Sequence, residues 1–141
     1  MSRELKTAMP LIVSTNEWPI VHYTIEGTID DEAEIQTYIA DITGLVSRRQ
    51  PYCSIIDLRR ATVPSAALRR RQADWQQAHD DALRRYCRGA AFVTTSKLVK
   101  GAVIAIGWLQ PWPHPVSYFT TISEARDWAG EQLKNMAPPA T

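Results

Sequence analysis

Reactive and ligating residues are scarce in this chain of 141 residues: two cysteines, three histidines and six glycines. Cys53 and Cys87 form neither a disulfide framework nor a zinc-ligand spacing. Both sit among apolar neighbours, where a thiol behaves as a small hydrophobe, so reduced, structural cysteines are expected. His22, His79 and His114 have no second ligand at metal spacing, and no metal site is expected. The dispersed glycines leave no phosphate-cradling loop, and no Gly-x-Ser-x-Gly elbow is present. Neither cysteine has a histidine partner visible in the sequence. The chain is therefore read as non-enzymatic, with no catalytic residue and no cofactor.

An excess of one charge is lacking too. Sixteen Lys and Arg face fifteen Asp and Glu, a formal net charge of +1 that gives no global attraction to nucleic acid or acidic lipid. The longest apolar run is about ten to twelve residues where a membrane span needs about twenty, so no integral membrane segment is expected. The first ten residues carry Glu4 and lack the apolar core of a secretory leader, which makes the cytoplasm the expected location.

What is present is a chain 45% hydrophobic and 22% charged, without repeats, suited to one domain. Residues 1–10 are expected to be a flexible start, 11–134 the domain and 135–141 a frayed tail. Leu11 to Val13 and Ile20 to Ile25 read as a strand hairpin. Asp30 or Asp31 caps a helix to about Arg49, with Ile35, Tyr38, Ile39, Ile42, Leu45 and Val46 on one face. Tyr52 to Leu58 is a strand and Arg59 to Pro64 a loop. Ser65 caps one long helix to about Tyr86, whose apolar side holds Leu68, Trp75, His79, Ala82 and Tyr86.

Gly89 to Thr95 is the next strand, followed by the apolar helix from Ser96 and a proline-stiffened loop to Pro115. Val116 to Thr121 is a strand, and Ser123 caps a last helix whose stripe is Ala125, Trp128, Ala129 and Leu133. The order β-β-α-β-α-β-α-β-α predicts a mostly parallel α/β sheet with an antiparallel N-terminal hairpin and four helices. Ligands of such folds sit beyond the carboxyl ends of the strands.

Three stretches carry a family resemblance between roughly Trp18 and Leu133. They are Tyr23-Thr24-Ile25-Glu26-Gly27 before an acidic helix start, the strand-loop-helix of Ser54 to Leu68, and Tyr118 to Trp128 with its Glu124-Ala125-x-x-Trp128 pattern. With these the chain resembles the SpoIIAA-like domains, which share the STAS fold of anti-sigma-factor antagonists and are related in shape to the lipid-carrying CRAL-TRIO domains. The resemblance implies a regulatory, signal-transducing protein-interaction module. In those antagonists a strand ending in Asp-Leu leads to an Asp-Ser-Ser-Gly helix start whose serine is phosphorylated. Here Asp57-Leu58 leads to Ser65, which is thereby the phosphorylation candidate, although the neighbouring acid, second serine and glycine are absent.

Three further surfaces stand out. In the helix after Ser96, Val99, Ala102, Val103, Ile106 and Leu109 form an inner face, while Ile104 and Trp108 point the opposite way and Trp112 follows on the rigid loop. That outer group is the candidate protein interface, with a homodimer as its simplest form; burial within the chain and lipid contact are the alternatives. The rival reading is a small-ligand or lipid carrier, with an apolar pocket between helices lined by Trp75, His79, Phe92 and Leu98. Lastly, Arg59, Arg60, Arg69, Arg70, Arg71, Arg84, Arg85 and Arg88 are eight of the sixteen basic residues. Of these, Arg59, Arg60 and Arg69 should gather near Asp57 and could hold an anion or an acidic partner, the plain alternative being a solvated helix face. The segment lacks the stacking platform or reading helix that nucleic acid requires.

Overall fold

A computed structural model describes residues 11–135. The ten elements, in chain order, are β1 (Leu11–Glu17), β2 (Ile20–Gly27), α1 (Glu32–Val46), β3 (Tyr52–Ala61), α2 (Ala66–Ala78), α3 (Asp80–Tyr86), β4 (Cys87–Val93), α4 (Lys97–Leu109), β5 (Val116–Phe119) and α5 (Ile122–Asn135). The five strands lie side by side in sequence order, β1 antiparallel to β2 and the rest parallel. Apart from Asn135, which ends α5, the two expected flexible termini lie outside the described residues.

A parallel sheet in sequential order with right-handed crossovers places every crossover helix on one face. Alternation along the strands confirms the resulting three layers. On β3, Cys53 and Ile55 point to one side, where they pack with Ala91, Val93 and the α5 residues Ala125 and Ala129. Tyr52 and Leu58 point to the other, towards α1 to α4, with Tyr23, Phe92, Val99 and Val103. β4, buried on both faces, is accordingly apolar throughout its length apart from Arg88.

Local chemistry sets the helix ends. Asp31 accepts from the Glu34 amide (2.8 Å), Ser65 from Leu68 (3.1 Å) and Ser96 from Val99 (3.1 Å), each satisfying a donor that a helix start leaves free. The last helix corrects its expected cap. Thr121, not Ser123, accepts from the Glu124 amide (3.2 Å), and its hydroxyl donates back to the Glu124 carboxylate (3.1 Å), close to a capping-box exchange.

Two other expectations are corrected. The long helix is two helices, making five rather than four. At His79 the backbone leaves the helical region (φ −113°, ψ 21°), and both its amide and its ring Nδ1 meet the Trp75 carbonyl at 3.0 Å. Asp80 and Asp81 then open α3, with Arg84 and Arg85 in its last turn, so the charges suit a new helix dipole. The break shifts the phase, so that Leu83 is buried between Ala82 and Tyr86, which pack half-buried against the core as expected. The expected loop at Arg59 is strand as far as Ala61, because Glu26 pairs with Arg60 and Gly27 with Ala61 across β2 and β3.

Candidate functional site

Helix α4 has two faces of unlike fate. Val99, Ala102, Val103 and Ile106 are buried against the sheet, as their spacing predicts. Leu109, expected with them, is 51% exposed at the helix end. Leu98 and Trp108 are more exposed still, at 77% and 81%. At 100° per residue Leu98, Gly101, Ala105, Trp108 and Leu109 fall within about 100°, a continuous stripe opposite the core. Ile104 lies at its edge and is half-buried. Leu98 is thus part of the outer surface and not of a pocket.

Trp112 does not join that surface. Its ring folds back against Phe92 (5.6 Å between centroids) and His114 (5.7 Å). It also lies so close to α4 that a Cβ at Gly107 would stand 2.8 Å from the indole nitrogen. The proline-stiffened loop presents this aromatic inward, as a lid on the core. The expected exposure of Trp112 rested on the loop alone and missed the gap left by Gly107.

The basic cluster is also divided. Residues two apart share a strand face, so Asp57 and Arg59 lie together and make a two-pronged ion pair (2.9 and 2.8 Å). Arg60 points to the opposite face and meets Glu26 at 3.3 Å. Arg69 lies on α2 and is not among the charges that act on Asp57, and Arg71 bonds Glu32 of α1 (2.8 Å). Arg88, expected on the solvated basic segment, is only 6% exposed, and its Nη2 has no hydrogen-bond partner among the described residues. The arginines are therefore spent separately, and no shared anion pocket forms from the expected set.

Hydrogen bonds and charge from Arg59 hold the Asp57 carboxyl below its ordinary value, against the upward push of partial burial. A depressed carboxylate adds stability above its unfolded pKa, about 3.9, and that contribution is lost as pH falls through the folded value. In Arg59→Met the Asp57 pKa, followed by carboxyl NMR, is expected to climb towards 3.9, and acid unfolding to begin at a higher pH. An unmoved titration would show that the ion pair does not set it.

Between the sheet and the α1 to α4 layer lies a chamber of about 120 Å³. Trp75 and Phe92 line it, as the pocket reading expected; His79 does not, because it stacks on Trp75 (4.7 Å) outside the wall. One end, with Gly27, Thr28, Ala61 and Thr62, lies at the carboxyl ends of β2 and β3. The Thr62 amide donates to the Gly27 carbonyl (2.9 Å), and the Thr28 and Thr62 hydroxyls are bonded to each other. Above the chamber, the Tyr38 hydroxyl donates to Gln72, Gln72 to Gln76 (3.0 Å), and Gln76 to the Gln110 carbonyl (3.2 Å). This buried chain ties α1, α2 and the end of α4 together.

The other end of the chamber holds a pair that sequence spacing could not show. Cys87 and His114 both line it, close enough for each to shift the other's titration, and the Cys87 thiol donates to the Gly89 carbonyl (3.5 Å). His114 Nδ1 lies 3.1 Å from the Pro115 carbonyl, an arrangement that makes Nδ1 the donor. Burial pushes the Cys87 thiol up, but the charge and hydrogen bond of His114 outweigh it and leave it below its ordinary value. Burial lowers His114 and the thiolate outweighs that, leaving the imidazole raised. A thiol lowered in this way is a nucleophile in principle. Cys53 differs: its thiol, on the α5 side, is pushed far up by burial. Both cysteines are free and buried. The described residues hold no cluster of metal-ligating type, and no described helix is long and apolar enough to cross a membrane.

No family model and no curated protein matches this chain. Solved structures do. A protein of the DUF3478 family with a SpoIIAA-like fold, from Shewanella loihica PV-4, superposes with a TM-score of 0.63 at 12% identity, over 84% of this chain and 91% of that one. An anti-sigma factor antagonist from Mycobacterium paratuberculosis gives 0.58 at 14% identity, over 85% and 92%. The fold of this chain is therefore SpoIIAA-like, as the resemblance in its sequence implied.

Proposed function

We propose that the chain is a non-enzymatic regulatory module that works by binding protein through the outer face of α4. The observation that carries this reading is the stripe from Leu98 to Leu109, about 16 Å of helix, with a tryptophan 81% exposed near one end. A helix that already spends one face on its own core gains nothing within the chain from such residues on the other. Small residues, Gly101 and Ala105, between large ones shape a surface into which a second helix fits. The fold supports the reading, since a structural neighbour is named as an anti-sigma factor antagonist. The Cys87–His114 pair is given no reaction, being closed within the core with Cys87 4% exposed. A cytoplasmic setting suits two unpaired thiols.

The simplest partner is a second copy, with the stripe packed on itself about a two-fold axis and Ile104 at the rim. Light scattering of the wild type is then expected to give a dimer, and Trp108→Glu a monomer with an unchanged far-ultraviolet circular dichroism spectrum. A wild type already monomeric at high concentration would remove the homodimer.

A further inference from the structure

We propose that the chamber behind α4 is a binding site for a small, uncharged, mostly apolar molecule carrying one carbonyl or hydroxyl group. Its size is the first ground. At about 120 Å³ it approaches the roughly 150 Å³ of an apolar cavity that accepts a benzene ring, in an interior that otherwise packs almost without voids. A single ring or a short branched chain fits.

Its wall is the second. Among the described residues no Asp, Glu, Lys or Arg contributes to it; the surface is set by residues such as Ile25, Ile56, Leu58, Phe92, Val99 and Val103. A permanently charged ligand would lie there without a counter-charge, at a cost no such wall repays. Cys87 and His114 do not alter this, because the pair is net neutral whichever partner holds the proton. Polar groups nonetheless occur at defined points. Tyr23, Tyr52 and Ser54 bring hydroxyl groups into this lining, and a hydroxyl can give a hydrogen bond to a ligand carbonyl or take one from a ligand hydroxyl. A dry void needs none of these; a bound molecule with one polar group uses them.

Access is the third. The end at Thr28 and Thr62 is made of loop and strand-end residues that are half-buried or exposed, held by one backbone hydrogen bond and one hydroxyl contact. Parting the two hydroxyls leaves the Glu26–Arg60 and Gly27–Ala61 pairs of β2 and β3 in place. The chamber lies on the inner side of α4 and Trp108 on the outer, so a result here is independent of partner binding.

The test is NMR titration of the full chain with acetophenone and, separately, with benzoate at neutral pH, two probes of one ring that differ in charge. Acetophenone is expected to shift the amides of Ser54, Ala90, Phe92 and Val103 saturably, with benzoate leaving them in place. Ala90→Leu, which extends a side chain into the chamber, should weaken acetophenone at least tenfold. If that variant does not fold, Ile106→Phe fills the space from the opposite wall. No saturable shift up to the solubility of acetophenone, equal response to benzoate, or shifts confined to the outer face of α4 would each overturn the proposal.

Discussion

Replacing Trp75 by alanine is expected to remove about 3–5 kcal/mol of folding stability, a large share of the 5–15 kcal/mol typical of a domain. The side chain is 8% exposed and packs within the cluster that joins α1 and α3 to the sheet. Its indole N–H donates to the Thr43 hydroxyl of α1 (2.8 Å), which in turn donates to the Ile39 carbonyl (2.6 Å). Its ring supports His79 at the break between α2 and α3, and its carbonyl receives both donors that make that break. Alanine would leave a cavity continuous with the chamber, while the hydrogen bond to Thr43 would go with the ring. Urea unfolding should therefore show a lower midpoint at an unchanged slope. Trp75→Phe should keep most of the packing and lose about 1 kcal/mol for the hydrogen bond. Equal losses in the two variants would mean that the ring volume is not what holds α2.

Trp75 also marks the boundary of what the sequence makes legible. Its burial follows from period, as do the inner face of α4 and the strands, because periodicity is a local signal. The break four residues later does not follow from period, yet Asp80-Asp81 was a readable helix start. Extension of β3 through Arg59 and Arg60 depends on pairing with β2, a tertiary effect that polar residues do not announce. The candidate site divides in the same way. Trp108 could be placed outside by phase alone. Trp112 could not be placed inside without knowing that Gly107 lies beneath its ring. Cys87 and His114 meet only because β4 begins where the loop before β5 passes, so no local spacing could pair them. The chamber is a property of two layers and has no sequence signature beyond its apolar wall.

Gly89→Ala is expected to destabilise the fold by about 1–3 kcal/mol, although it adds a single carbon. The added Cβ would stand 2.7 Å from the Trp128 ring and 3.1 Å from a second atom of it, with the Pro115 carbonyl at 3.4 Å behind. Trp128 is the aromatic of α5 that packs on Phe119 (5.9 Å between centroids) beside the buried Ala125 and Ala129. An indole is a stiff group, so relief requires α5 to lift or β4 to bend. Bending β4 has a second consequence, because the Gly89 carbonyl faces both the Cys53 thiol (3.3 Å) and the Cys87 thiol (3.5 Å). One residue thus couples the docking of α5 on one face of the sheet to the thiol at the inner end of the chamber on the other. If the clash with the indole is the cause, Trp128→Leu should cost stability alone but remove most of the penalty of Gly89→Ala when the two are combined. The double-mutant cycle should then give a coupling of about 0.5–3 kcal/mol. Simple additivity would place the penalty in the backbone of β4 instead, and would free Trp128 from the account of how α5 is seated.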